Sequence, residues 1–167
     1  ETPYQIEIDT SHLTTVETGM QINDRSSYLL LPSLTVGTTY TIAGWVQLDN
    51  ANQINTLLYA DSGSNNRDRI SLRTTATGAV QFGTWDVNKN SQIQVLSDDG
   101  LVEAGTWHHL AVTVSADQAV LFLDGEQVAK ESLSNSSDSG TRSRVRLGYG
   151  VNSNEALSGM IRDYQLF

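Results

Sequence analysis

Alternation with a period of two runs along this chain and limits what it can become. In Thr39–Asp49 (TYTIAGWVQLD), Tyr40, Ile42, Gly44, Val46 and Leu48 fall on one face; Thr41, Ala43, Trp45 and Gln47 fall on the other. Neighbouring side chains point to opposite faces in a strand, not in a helix. Trp107–Ser115 (WHHLAVTVS) repeats the pattern with Leu110, Val112 and Val114 on one side. Ala119–Asp124 (AVLFLD) is apolar on both faces and rich in strand formers, which places it centrally in a sheet. Asp124-Gly125 then reads as a tight hairpin turn, because both turn positions need positive φ.

Further strands are expected at Tyr4–Ile8, Ser27–Leu31, Asn55–Ala60, Arg69–Thr75, Ala79–Thr84, Ile93–Leu96, Gln127–Leu133, Arg142–Gly148 and Gly159–Phe167. Turn-forming clusters separate them, and no window reads as an amphipathic helix. Many short strands at this spacing mean an all-β antiparallel sandwich or barrel. The chain has only two prolines, as sheet interiors require. Ser134–Gly140 (SNSSDSG) reads as a mobile surface loop.

With 167 residues the chain makes a single domain, 1–167, able to bury roughly 70% of its unfolded surface. It has no cysteine, which excludes disulfide frameworks, thiolate metal sites and cysteine nucleophiles. The formal net charge of −9 repels phosphate backbones and attracts cations, so nucleic acid is not an expected partner. No apolar run is long enough for membrane insertion. The start at Glu1, without a leader, reads as a monomeric module cut from a longer polypeptide. The acidic, Ser/Thr/Asn/Gly-rich composition points to a secreted or cell-surface protein, bacterial by type.

Three blocks carry a resemblance. They are Ser27–Asp49; Gly105–Ala129 (GTWHHLAVTVSADQAVLFLDGEQVA); and Arg146–Phe167, running from RLGYG to SGMIRDYQLF. In this order they resemble the laminin-G-like and pentraxin-like domains of the concanavalin A-like superfamily. The resemblance implies a two-sheet jelly-roll β-sandwich and covers the chain from Gln21 onward; residues 1–20 match no motif. Within the second block Trp107 is expected to begin a strand and pack across the sandwich. His108 and His109 point to opposite faces, so they read as hydrogen-bonded sheet residues rather than one site. Trp45 reads as core.

Hard cations take six to eight oxygens, often from irregular loops. The richest such loop is Asp61–Asp68 (DSGSNNRD), with Asp61, Asn65, Asn66 and Asp68. In pentraxin-like domains an Asp-Asn pair on the corresponding loop binds calcium, completed by a loop before the last strands. The resemblance thus implies that Asn152, Asn154 and Glu155 face the first loop across a calcium ion. The alternative is two solvated loops. Laminin-G-like sequences also carry acids where the chain ends meet, which nominates Asp24 and Asp163 for a second ion. Salt bridges, Asp163 to Arg25 or Asp24 to Arg162, serve equally well there.

Around these loops, Tyr149, Arg67 and Arg69 are candidate ligand contacts, the arginines by forking onto a carboxylate. Trp85 with Asp86 offers a stacking surface, or Trp85 is a strand-end core residue. The expected function is calcium-dependent carbohydrate binding or adhesion, with a peptide or protein ligand as the alternative use of the same loops and a passive spacer domain with structural calcium only as a further one. Glycoside hydrolases share the superfamily and need two carboxylates across the scissile bond. The nearest match, Glu7-Ile8-Asp9-Thr10-Ser11-His12, lacks the third acid of the hydrolase strand and lies near the terminus. A binding module, not an enzyme, is expected.

Overall fold

Nearly every strand anticipated from the alternation is present, and the pairing between them closes two sheets over one core. The computed structural model describes residues 15–16, 19–22, 27–63, 68–86, 91–133 and 140–167. Its strands are β1 (Thr15–Val16), β2 (Gly19–Ile22), β3 (Leu29–Leu31), β4 (Leu34–Val36) and β5 (Tyr40–Leu48). Then come β6 (Asn55–Asp61), β7 (Arg69–Thr74), β8 (Val80–Asp86), β9 (Ser91–Leu96) and β10 (Trp107–Val114). The last are β11 (Gln118–Leu123), β12 (Glu126–Ser132), β13 (Gly140–Arg142), β14 (Arg144–Leu147) and β15 (Gly159–Leu166). One short 3-10 turn, Ser153–Glu155, interrupts the last connection. The expected strand Tyr4–Ile8 and residues 134–139 of the Ser134–Gly140 loop lie outside the described residues.

The strands form a seven-stranded sheet, β1-β2-β15-β5-β10-β11-β12, and a six-stranded sheet, β3-β14-β6-β7-β8-β9. A two-stranded ribbon joins β13 to β4. Every strand pair is antiparallel. This is the jelly-roll β-sandwich. Its inner faces meet through Ile42, Val46, Leu48, Leu110, Val112 and Leu121 from one sheet, and Leu58, Ile70, Leu72, Phe82, Val95 and Val145 from the other. Each such side chain, removed from water, contributes roughly 1.5–3 kcal/mol.

The hairpin between β11 and β12 turns at Asp124 (φ 52°) and Gly125 (φ 87°), both left-handed as the sequence requires. His108 and His109 do point to opposite faces. His108 is buried; its Nδ1 bonds Asp124 Oδ2 at 2.8 Å, and its Nε2 accepts the Glu103 N–H at 3.3 Å. His109 lies outside, 5.2 Å from the Trp45 ring.

Two tryptophans depart from expectation. Trp45 is not core and Trp107 does not cross the sandwich. Both are half-buried on the outer face of the seven-stranded sheet. The Arg162 guanidinium lies between them, 5.1 Å from the Trp45 ring and 4.5 Å from that of Trp107. The cause is the pleat itself: Ile42, Gly44, Val46 and Leu48 take the inner face of β5, and Trp45 is out of phase with them.

Candidate functional site

The outer face of the six-stranded sheet gathers side chains that its inner face could not bury. Along β7, Ile70, Leu72 and Thr74 are buried, which turns Arg69, Ser71 and Arg73 outward. Register sets their neighbours: Arg69 pairs with Trp85, Ser71 with Gly83 and Arg73 with Gln81. On the other flank Ser71 pairs with Tyr59, and Tyr59 with Arg146. The two smallest side chains therefore sit side by side at the centre of the face. They floor a cavity of about 160 Å³, walled by Tyr59, Arg69, Arg73, Gln81 and Gln94, with Val151 and Glu155 reaching in from the loop before β15.

Aromatic rings and guanidiniums alternate across this face. Arg69 is held 5.7 Å from the Trp85 ring centre. Arg146 lies 5.1 Å from the Tyr59 ring and 5.2 Å from the Tyr149 ring, and Tyr149 in turn meets Tyr28 at 5.1 Å. Such contacts fix long cationic side chains that would otherwise lose rotamer freedom on binding. The Tyr59 hydroxyl and Trp85 Nε1 are buried and have no hydrogen-bond partner. Burial pushes the Tyr59 phenol above its ordinary pKa, with the Asp61 carboxylate acting the same way, so at neutral pH it is an O–H donor.

Charge on this face is uneven. Among the described residues, its outward positions and the 148–155 loop carry four guanidiniums, Arg69, Arg73, Arg144 and Arg146, against the two carboxylates of Asp61 and Glu155. The whole chain has only ten Lys and Arg. Asp61 is fully buried and grips Arg144 in a two-pronged pair, Nε to Oδ1 at 2.7 Å and Nη2 to Oδ2 at 2.9 Å. It also accepts the Gly63 N–H at 2.7 Å, and Arg146 Nη2 stands 3.7 Å away. Its hydrogen bonds to Asp61 hold the Arg144 guanidinium more firmly protonated than usual.

Of the acids expected to share calcium, Asp61 and Glu155 stand apart among the described residues. Asp61 ends β6 at one end of the sheet. At the other end the Gly148 N–H bonds the Leu57 carbonyl at 2.9 Å, and Glu155 pairs with Arg73 at 3.2 Å. Leu57 to Asp61 is four residues of strand, about 13 Å at the rise of a β-strand. Arg69, beside Asp68, and Arg73, beside Glu155, are likewise four residues apart on one strand. Glu155 Oε2 additionally accepts the Val151 N–H at 3.4 Å. Gly150 permits this approach, since a Cβ there would stand 2.6 Å from Glu155 Oε2.

Asn152 Oδ1 caps the 3-10 turn by accepting the Asn154 N–H at 2.9 Å, a local role rather than a metal-facing one. Asp68 adopts φ 52° beside β7. Asp163 is exposed at φ 50°, its Oδ2 3.9 Å from Arg162 Nε, a loose form of a salt bridge within the closing strand. Asn65, Asn66, Arg67, Asp24 and the side chain of Asp86 lie outside the described residues, as does Glu7–His12. Among the described residues no three His, Cys, Asp or Glu side chains group as a metal site, and Asp61 and Glu155 are engaged by arginines.

Of the expected ligand contacts, Arg69, Trp85 and Tyr149 do come onto one face. Tyr59, Ser71, Arg73, Gln81, Gln94 and Arg146 join them unanticipated. Their signal was present in the sequence: Arg69, Ser71 and Arg73, and Arg144 and Arg146, alternate as polar stripes on strands whose other face is apolar.

A laminin G family model, described as concanavalin A-like lectin/glucanases superfamily, matches residues 23–167. No curated protein matches the chain in sequence. Among solved structures, mouse laminin alpha1 chain domains LG4-5 superpose with a TM-score of 0.72 at 22% identity, over 89% of this chain and 40% of that one. The CBM40 of a Ruminococcus gnavus sialidase, bound to alpha2,3 sialyllactose, gives 0.66 at 17% identity, over 83% and 91%. Domain 4 of AbnA, an extracellular arabinanase from Geobacillus stearothermophilus in complex with arabinotriose, gives 0.70 at 16% identity, over 97% and 75%.

Proposed function

The chain belongs to the concanavalin A-like lectin/glucanases superfamily, and from that premise we propose that it is a carbohydrate-binding module, extracellular and serving adhesion, which grips a glycan on the outer face of its six-stranded sheet. One observation carries this reading: Ser71 and Gly83 open a cavity on that face between aromatic and hydrogen-bonding walls. Sugar rings are recognised by this combination, an aromatic surface for their C–H faces and fixed amide and guanidinium groups for their hydroxyls. That two of the similar structures were solved with oligosaccharides supports the same class of ligand.

The cavity favours binding over hydrolysis. A glycosidase needs a pair of carboxylates, about 5–5.5 Å apart for retention or 6.5–9.5 Å for inversion. Glu155 is the one carboxylate lining the cavity among the described residues, and it is paired with Arg73. Contact between glycan and sheet side chains is direct in this reading. A glycan array run beside a peptide-display screen tests it. Glycan hits that Trp85→Ala weakens tenfold or more, without loss of Tm, are expected; peptide hits alone would overturn the reading.

A further inference from the structure

We propose that the glycan carries an oxyanion on a terminal sugar, a carboxylate or a sulfate, and that the cavity between Tyr59, Arg69 and Arg73 holds it. This rests on the carbohydrate-binding reading and narrows it. Three independent features lead to it. The first is charge. An acidic chain has concentrated four of its ten basic side chains on one face, where they exceed the described carboxylates by two. Such a face draws anions and repels the cations that the rest of the surface attracts. A neutral sugar would leave that excess without a partner.

The second feature is pre-orientation. Arg73 has its Nε bonded to Gln81 Oε1 and its Nη1 to Glu155 Oε2, which sets the plane of the guanidinium. Nη2 remains as a donor in that fixed plane. Arg69 is held over Trp85 on the same strand, two pleats away. Guanidiniums fixed in advance lose little freedom on binding and match the geometry of a planar or tetrahedral oxyanion.

The third is the Tyr59 hydroxyl. Tyr59 is 1% exposed, lines the cavity and has no partner for its O–H. Buried polar groups are nearly always satisfied, and an orphan at a cavity marks where a ligand oxygen or an ordered water completes the bond. The cavity, at about 160 Å³, is smaller than the roughly 300–1,000 Å³ of pockets that enclose a whole ligand. It takes one terminal group and leaves the remaining sugars to the open face.

The test is an array of matched pairs, each neutral glycan beside its sialylated, uronic-acid-ended and sulfated forms, followed by titration of the hits. Acidic members should bind at least tenfold tighter than their neutral partners and weaken as salt rises. Arg69→Ala should lose tenfold or more on the acidic members, while Lys130→Ala, the same charge change on β12, should not. Tyr59→Phe should leave Tm equal or higher, since its hydroxyl bonds nothing in the protein, yet weaken acidic ligands several-fold. Carboxylated and sulfated arms tell which oxyanion is meant, and either supports the proposal. Equal binding of neutral and acidic partners would overturn it while leaving the carbohydrate reading intact, and a blank array would overturn both. A fall in Tm for Tyr59→Phe with binding unchanged would show the hydroxyl to be structural.

Discussion

Asp124 combines one backbone and two side-chain roles. It takes a left-handed backbone at φ 52°, bonds His108 Nδ1 through one oxygen, and accepts the His109 N–H at 2.7 Å through the other. Desolvation raises its pKa, but the hydrogen bonds from His108 and His109 outweigh it, and the carboxyl lies below its ordinary value. The stabilisation this gives is present above the unfolded-state value, near pH 3.9, and is lost as pH falls through the lowered folded value. Asp124→Ala should cost about 1 kcal/mol in hydrogen bonds and about 1 more in left-handed strain. Asp124→Asn keeps the backbone and should cost less. Urea unfolding across pH checks both, and the gap between wild type and Asp124→Asn should close in acid. This residue was legible beforehand, because Asp-Gly between two strands admits few conformations. Trp45 was not. A large aromatic suggests burial, but the pleat turns it outward, where Arg162 covers its ring.

At the scale of the strand, β7 separates stability from recognition by alternate residues. Its inward Ile70 and Leu72 are fully buried, so truncating either to Ala should cost about 2–5 kcal/mol. Its outward residues act with β8, where Gly83 leaves the cavity floor open. Gly83 has no positive φ, and a Cβ there would meet the Ser71 Oγ at 3.3 Å and the Ile93 carbonyl oxygen at 3.8 Å, the first the end of a short, rotatable side chain. Gly83→Leu should therefore fold with stability within about 1 kcal/mol of wild type, since a strand glycine is already unfavourable. The same change should fill the floor and abolish glycan binding; thermal melts beside titrations separate the two effects. The polar stripe on β7 was readable in the sequence. That Arg146 would stand beside Tyr59 next to this stripe was not, because register between strands so distant in sequence depends on how the whole sheet closes. For the same reason β1, β2, β4 and β13, of two to four residues each, went unseen as strands.

Across the whole molecule, the all-β antiparallel class followed from alternation and the two-sheet arrangement from the resemblance, both present in the fold. Among the acids expected on the oxygen-rich loops, Asp61 and Glu155 are drawn into pairs with arginine. Ion pairing by neighbouring strands competes directly with metal coordination, and a linear sequence does not show which partner wins. The proposed direct grip on glycan predicts equal affinity in millimolar calcium and in chelator at matched ionic strength. Calorimetric titration checks this, and a loss of affinity in chelator would return the ion to the site. Melting temperatures measured alongside will report calcium bound elsewhere, because a ligand held only by the native state raises Tm.

The position of β15 carries a kinetic consequence. The last strand lies between β2, near the start of the described chain, and β5, and Phe167, just past its end, exchanges both backbone bonds with Thr41. Two early strands can thus reach the sheet only through residues made more than a hundred positions later. Contacts so distant in sequence slow folding, because a long loop must close before any of them forms. During synthesis the β5 edge stays open until the ribosome has released residues 159–167, so the order of translation, and not only the native contacts, governs how long a sticky edge is exposed.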